Sequence, residues 1–312
     1  MERSVIVILG PTGSGKTHLG ILLAKILNSE IISADSKQFY KKLNIGTAKP
    51  SAKQLAEVNH HFINFLEPDE NYNASDFEMQ AEEIIEIIFS RSLIPIVVGG
   101  SGLYIKALVD GIFNTVDKDF EYREKLLDYK NQFGNEYLYN LLKEKDPQSA
   151  ERMLPQNWKR VMRALEVYHL SGEPIWKHHE RQRKENKYSC IQIGLNWDRK
   201  TLYKNINKRV DSMIEEGLVE EVKGLLTDGY NKELNSLNTV GYKEIISYLD
   251  NEISIERAIE LIKRNTRRYA KRQFTWFRKD NRIEWFDLDD QSELEKIAIK
   301  IANRFKQFKL KL

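Results

Sequence analysis

The chain has 312 residues, of which 49 are basic and 46 acidic, giving a formal net charge of +3. Hydrophobic residues make up 41% and charged residues 30%, a composition that fits one or two folded domains and excludes wholesale disorder. The charge excess is too small to indicate nucleic acid by itself, and a single cysteine, Cys190, excludes an internal disulfide and a thiolate metal site.

Cys190 reads as a small buried residue. No apolar run approaches the roughly 18 residues of a membrane span. The amino terminus reads as a core strand rather than a leader, so no membrane contact and a cytoplasmic setting are expected.

The first element is an apolar run at residues 5–9, followed at once by Gly10-Pro11-Thr12-Gly13-Ser14-Gly15-Lys16-Thr17 and then by a helical pattern at 18–27. G-x-x-x-x-G-K-T between a strand and a helix is the context of a phosphate-binding P-loop. Glycines let successive N–H groups converge on phosphate oxygens, and the helix that follows points the positive end of its dipole at them. Lys16 adds a mobile charge, and the Thr17 hydroxyl suits a magnesium ion that bridges phosphate oxygens.

Further apolar runs at 30–33, 61–66 and 94–98 alternate with helical patterns, one of them at 75–89. Such alternation predicts a parallel sheet with helices on both faces, with ligands at the carboxyl ends of its strands. Three loops belong there: the P-loop, Ala34-Asp35-Ser36-Lys37-Gln38, and Gly99-Gly100-Ser101-Gly102-Leu103-Tyr104. They are expected to face one crevice. P-loop hydrolases hold magnesium with an acid at the end of a later strand, yet here that strand runs into Gly99-Gly100. The nearest acid at a strand end is Asp35, either an outer partner of a metal or a general base, and an Asp35-Ser36 helix cap is the structural alternative.

Charged helical segments broken by prolines follow from about 114 to 187, and 191–195 reads as a return to the sheet. The expected class is therefore α/β, a P-loop-type parallel core with flanking helices plus an inserted helical domain. The expected boundaries are 1–113 and 190–312 for the core, with its carboxyl-terminal helices, and 114–189 for the insertion. The remainder reads as helices, with a short strand at 283–286. His60-His61 and His178-His179 are unaccompanied by other ligand types, so no metal role is assigned to them.

One late helix carries Lys263, Arg264, Arg267, Arg268, Lys271, Arg272, Arg278 and Lys279, with no acid between Glu260 and Asp280. At about 100° per residue these fall on one half of the helix, and Ile255, Ala258, Ile259, Ile262, Tyr269 and Trp276 on the other. A core face opposite a polyanion-binding face is the expectation.

Gly10 to Thr17, Asp35-Ser-Lys-Gln-Phe-Tyr40, Ile45-Gly-Thr-Ala-Lys-Pro50 and Gly99-Gly-Ser-Gly-Leu-Tyr104 together resemble the bacterial tRNA dimethylallyltransferases, also called tRNA isopentenyltransferases. Arg160-Val-Met-Arg-Ala-Leu-Glu-Val167, Val240-Gly-Tyr242 and Lys271-Arg-Gln-Phe-Thr-Trp-Phe-Arg278 extend the resemblance over nearly the whole chain. It implies transfer of a dimethylallyl group from dimethylallyl diphosphate to N6 of adenosine 37, beside the tRNA anticodon, with release of diphosphate. Asp35 would be the base that takes the N6 proton, with Ser101 beside it in a segment where the family usually has threonine. Arg209 would stabilise the leaving group together with the loop amides, Lys16 and Mg2+ on Thr17, and a plain surface arginine is the alternative for Arg209. Asp35, Ser36, Lys37, Gln38, Ser101, Arg123, Lys159, Arg160, Arg163, Lys271, Arg272, Gln273 and Arg278 would meet the tRNA anticodon stem-loop. Trp158, Tyr242, Trp276 and Phe277 are candidates for stacking on bases, although core packing is the expected role of each. The expected assembly is a monomer. A P-loop small-molecule kinase and a non-catalytic, nucleotide-regulated RNA-binding protein are the competing readings.

Overall fold

The structure is a computed structural model, and it describes residues 3–112, 119–181 and 188–309. The chain divides into two compact units, Met1–Val109 with Asn186–Leu312, and Asp110–Glu185. The expected start of the insertion, 114, lies outside the described residues, and its expected end, 189, is the first residue of a strand of the larger unit.

In the larger unit β1 (Ser4–Leu9), α1 (Lys16–Leu27), β2 (Ile31–Ala34), α2 (Ala52–Glu57), β3 (His60–His61), α3 (Ala74–Ser90), β4 (Ile96–Gly99) and α4 (Gly102–Asp110) come first. The smaller unit holds α5 (Phe120–Lys145), α6 (Pro147–Glu151), α7 (Trp158–Ser171) and α8 (Ile175–Arg181). The chain then returns through β5 (Ser189–Trp197), α9 (Arg199–Glu215), α10 (Leu218–Thr227), α11 (Tyr242–Leu249), α12 (Ile255–Phe277), β6 (Glu284–Leu288) and α13 (Glu293–Lys309).

The six strands form one parallel sheet in the order β3-β2-β4-β1-β5-β6. β1 is central, and its residues from Val5 to Leu9 are fully buried. That explains the unbroken apolar run, because a parallel strand covered on both faces has no solvent side to alternate with. Ile6 and Ile8 join Leu19 and Leu23 of α1 and Leu294, Ile297 and Ile301 of α13 in one core. Each such side chain, fully buried, contributes roughly 1.5–3 kcal/mol.

The strand expected at 61–66 is a correction. β3 stops at His61 because Phe62 and Asn64 have φ of 62° and 56°, which no strand accommodates, and only a bridge from Tyr40 to Leu66 follows. Cys190 is half-buried rather than buried.

Gly99 closes β4 against β2, paired with Ala34. A Cβ there would lie 2.2 Å from the Ala34 carbonyl oxygen, a backbone atom that cannot swing away. Gly99→Ala is therefore expected to destabilise the protein by about 1–3 kcal/mol, as overpacking does. A lower urea midpoint with an unchanged slope checks this, and an unshifted midpoint contradicts it.

The smaller unit has its own core of Leu126, Leu138, Leu142, Val161 and Leu165. In it the fully buried Glu166 accepts hydrogen bonds from Arg123 Nε and Nη2 (2.5 and 2.9 Å), Arg163 Nη1 (2.5 Å) and the Asp119 N–H (3.0 Å). Burial pushes this carboxyl up, but the hydrogen bonds and charges of the two arginines outweigh it and hold it below the usual range. Among the described residues no helix is long and apolar enough to cross a membrane.

Candidate active site

The P-loop leaves β1 at Leu9 and enters α1 at Lys16, with Gly15 in the left-handed region (φ 89°) as the residue before the helix. Two side chains from distant parts of the chain hold it. Trp197 Nε1, at the end of β5, donates to the Ser14 carbonyl at 3.0 Å, and Gln273 Oε1 accepts the Thr12 N–H at 2.8 Å. Lys16 Nζ donates to the Pro11 carbonyl at 2.6 Å. Burial first, and then the charge of Arg209, draw Lys16 down to about 7, while Asp35 works in the opposite direction.

That depressed value has a consequence for anion binding. A diphosphate bound beside Lys16 would raise its pKa again, so such binding would be accompanied by proton uptake above pH 7. Affinity then falls as the pH rises above 7, by at most about tenfold per unit. Calorimetry in buffers of different ionisation enthalpy checks this, and a binding heat that does not depend on the buffer contradicts it.

The second loop follows β2. Its Asp35 Oδ1 accepts the Lys37 N–H at 2.9 Å, a local turn that fixes the carboxylate. Phe39, fully buried, anchors the loop in an aromatic cluster with Phe65, Tyr72, Phe77 and Tyr104. Ser101, from the third loop, joins it: Ser101 Oγ accepts the Ser36 N–H at 2.9 Å and donates to Ser36 Oγ at 3.2 Å.

These loops share one cavity of about 270 Å³ with α9, the loop at 46–50, the turn before α11, and α12. Thr12, Lys16, Thr17, Asp35, Ser36 and Arg209 bring the polar groups. Val98, Val210, Met213, Val240 and Ile262 bring apolar surface. The lining thus combines cationic and polar groups with apolar surface. Arg209 is drawn below its usual range by burial, opposed by the charge of Asp35, and an arginine so shifted still stays protonated. Asp35 is the carboxylate that lines this cavity.

Several residues expected to meet RNA have partners within the protein. Gln38 is buried, donating to the Thr47 and Ala48 carbonyls at 3.3 and 3.1 Å and accepting from Ser33 Oγ. Gln273 is buried between the P-loop and Gly100, to whose carbonyl its Nε2 donates at 2.8 Å. Arg123 and Arg163 hold Glu166, so folding of the smaller unit already uses their guanidinium groups. Each looks in sequence like a solvent-facing polar residue, because its partner lies far away along the chain or in a backbone group. Lys159, Arg160, Lys271, Arg272 and Arg278 are exposed, and Lys37, half-buried, donates to the Asn235 carbonyl at 2.6 Å.

The helical wheel of α12 needs a second correction. Tyr269 and Trp276 leave the core face, at 37% and 39% exposure, and the buried row is Ala258, Ile262, Ala270, Gln273 and Phe277. Tyr269 lines the cavity; burial and the Asp35 charge push its hydroxyl up to about 12. The sequence carries no signal for this role, since an aromatic at helical spacing reads as core. Tyr242 and Phe277 pack inside, as expected, and Trp158 is half-buried beneath Lys130 and Lys159. Tyr242 also donates to Glu221, which accepts the N–H groups of Asn44, Ile45 and Gly46 and so braces the 46–50 loop.

No group of three or more His, Cys, Asp or Glu side chains fit to hold a metal occurs among the described residues. Thr17, which lines the cavity beside Lys16, is the residue that would hold a magnesium ion together with phosphate oxygens.

Residues 38–280 match the family model described as IPP transferase. The chain is 46% identical to the tRNA dimethylallyltransferase of Halothermothrix orenii over 99% of this chain and 94% of that one. It is 48% identical to that of Acetivibrio thermocellus over 94% and 95%. Among solved structures it resembles the full-length tRNA isopentenylpyrophosphate transferase of Bacillus halodurans, at 38% identity and a TM-score of 0.73 over 99% of each chain. A eukaryotic dimethylallyltransferase acting on tRNA superposes with a TM-score of 0.84 at 31% identity, over 98% of this chain and 80% of that one.

Proposed function

This chain belongs to the IPP transferase family, and from that membership we propose that it transfers a dimethylallyl group from dimethylallyl diphosphate to N6 of adenosine 37 in tRNA. The observation that carries the reading is the single cavity that joins the P-loop and Arg209 to an apolar wall and to Asp35.

In the reaction the N6 lone pair attacks the allylic C1, the C1–O bond breaks, and the diphosphate leaves with its electron pair. The adenine amine is a weak nucleophile because its lone pair is delocalised into the ring. Asp35 takes the N6 proton as the new C–N bond forms, leaving a neutral secondary amine. Lys16, Arg209 and the P-loop amides hold the charge that develops on the leaving group. Magnesium, when bound through Thr17 and the diphosphate, supplies further neutralisation of that charge. A leaving group of this kind needs no machinery to activate water, which accounts for a later strand that ends in Gly99-Gly100 rather than in an acid.

Adenosine 37 must leave its stack to reach the cavity, at a cost of a few kcal/mol that is smaller in a loop than in a duplex. Lys159 and Arg160 of the smaller unit and Lys271, Arg272 and Arg278 of α12 are exposed cations for the phosphates of the anticodon stem-loop, read by shape and charge. Ser36 and Lys37, with Ser101 behind Ser36, are assigned to the RNA side of the site, and the protein works as a monomer in the cytoplasm, where it meets tRNA.

The test is diphosphate release by the purified chain with magnesium, unmodified tRNA and dimethylallyl diphosphate. Release that requires the RNA supports the reading. ATP turnover with a small acceptor, and none of this release, would favour a kinase.

A further inference from the structure

We propose that Gln273 is a positioning residue that holds the P-loop and the Gly99-Gly100-Ser101 loop in one register, and so aligns the leaving group with Asp35. The proposal rests on the reading of the cavity as a prenyl-transfer site.

Pairing of β1 with β4 ends at Leu9 opposite Gly99. Past that point the two loops part, and the side-chain amide of Gln273 takes the place of the next rung. Its Oε1 accepts the Thr12 N–H at 2.8 Å and its Nε2 donates to the Gly100 carbonyl at 2.8 Å, so a primary amide does here what a peptide group does in a ladder. The residue is 7% exposed, which strengthens both bonds and makes their loss expensive.

The connection continues to the base. Ser101 follows Gly100, and its Oγ accepts the N–H of Ser36, next to Asp35. Thr12 on the donor side is therefore linked through Gln273, Gly100 and Ser101 to Asp35 on the acceptor side. A Cβ on Gly100 would lie 2.5 Å from Gln273 Nε2, and a Cβ on Gly102 2.4 Å from Trp276 Cδ1, so α12 is seated directly on the glycine loop. Gln273 also withdraws one amide, that of Thr12, from the set that can face a phosphate.

In-line displacement is sensitive to such alignment, because a misplacement of about 1 Å can cost on the order of 100-fold. Gln273→Met, similar in length but without either hydrogen bond, is expected to lower kcat by about 10–100-fold. The dissociation constant of tRNA and the KM for tRNA should stay within about twofold, since both hydrogen bonds of the side-chain amide go to backbone groups of the two loops. Gly100→Ala, which displaces Nε2 while leaving Gln273 in place, should give the same split. The double variant should cost little more than either single one, because both remove the same link.

A raised KM and weaker binding of tRNA with kcat intact would overturn the proposal and make Gln273 an RNA contact. Unchanged kinetics in both single variants, or full additivity in the double, would overturn it too. If Gln273→Met fails to fold, Gly100→Ala carries the same test. Failure of the wild-type chain to release diphosphate with tRNA would instead sink the functional reading, so the two failures are distinguishable.

Discussion

Asp35→Asn is expected to lower kcat by about 10²–10⁴-fold, the range in which a positioned general base acts. The substitution is chosen for what it preserves. An asparagine oxygen still accepts the Lys37 N–H, so the turn that fixes residue 35 survives, and the bonds between Ser101 and Ser36 are untouched. Only the capacity to take a proton is lost. Michaelis constants for donor and tRNA should move little, because the change removes an interaction made in the transition state rather than in the ground state. Near-normal turnover would reduce Asp35 to the turn cap that an isolated Asp-Ser pair also suggests.

Arg209→Ala is expected to lower kcat by about 10²–10³-fold, as the loss of one charged donor to a developing oxyanion does. Arg209 lines the same cavity as Lys16 and Asp35, and its charge is one of the causes that draw Lys16 down. Its removal should therefore raise the pKa of Lys16 and shrink the proton uptake that accompanies diphosphate binding. That second effect follows from the position of its charge alone, so the loss of kcat is what separates a catalytic from a structural arginine. Arg209→Lys should recover part of the rate, keeping the charge and losing the planar fork. Full activity of Arg209→Ala would make it a packing residue of α9.

Much of the fold is legible in the sequence because its strands are buried on both faces and its glycines are contiguous. β1, the P-loop and α1 are read from one stretch of chain, and the three loops converge because parallel strands send them all to one end. What is not legible depends on partners far apart in sequence. Arg123 and Arg163 are expected at the tRNA by resemblance, and the buried Glu166 that both of them hold is visible only in the fold. Gln38 and Gln273 are expected there too, and nothing in the sequence announces the backbone groups at Thr47, Thr12 and Gly100 that meet their amides. Tyr269 illustrates a different limit: a helical wheel separates two faces, whereas α12 has a third flank, along the cavity. The short β3 depends on positive φ at Phe62 and Asn64, which side-chain identity does not announce.

The kinase reading of the P-loop is not favoured, because the matched family and the relatives at 46% and 48% identity all point to prenyl transfer. The direct test is digestion of tRNA after incubation with the purified chain, magnesium and dimethylallyl diphosphate, with mass analysis of the nucleosides and of the anticodon-loop fragment. The expected result is an added dimethylallyl group on one adenosine, at position 37, absent with Asp35→Asn over the same time. An unmodified adenosine 37, or a gain elsewhere in the RNA, would contradict it.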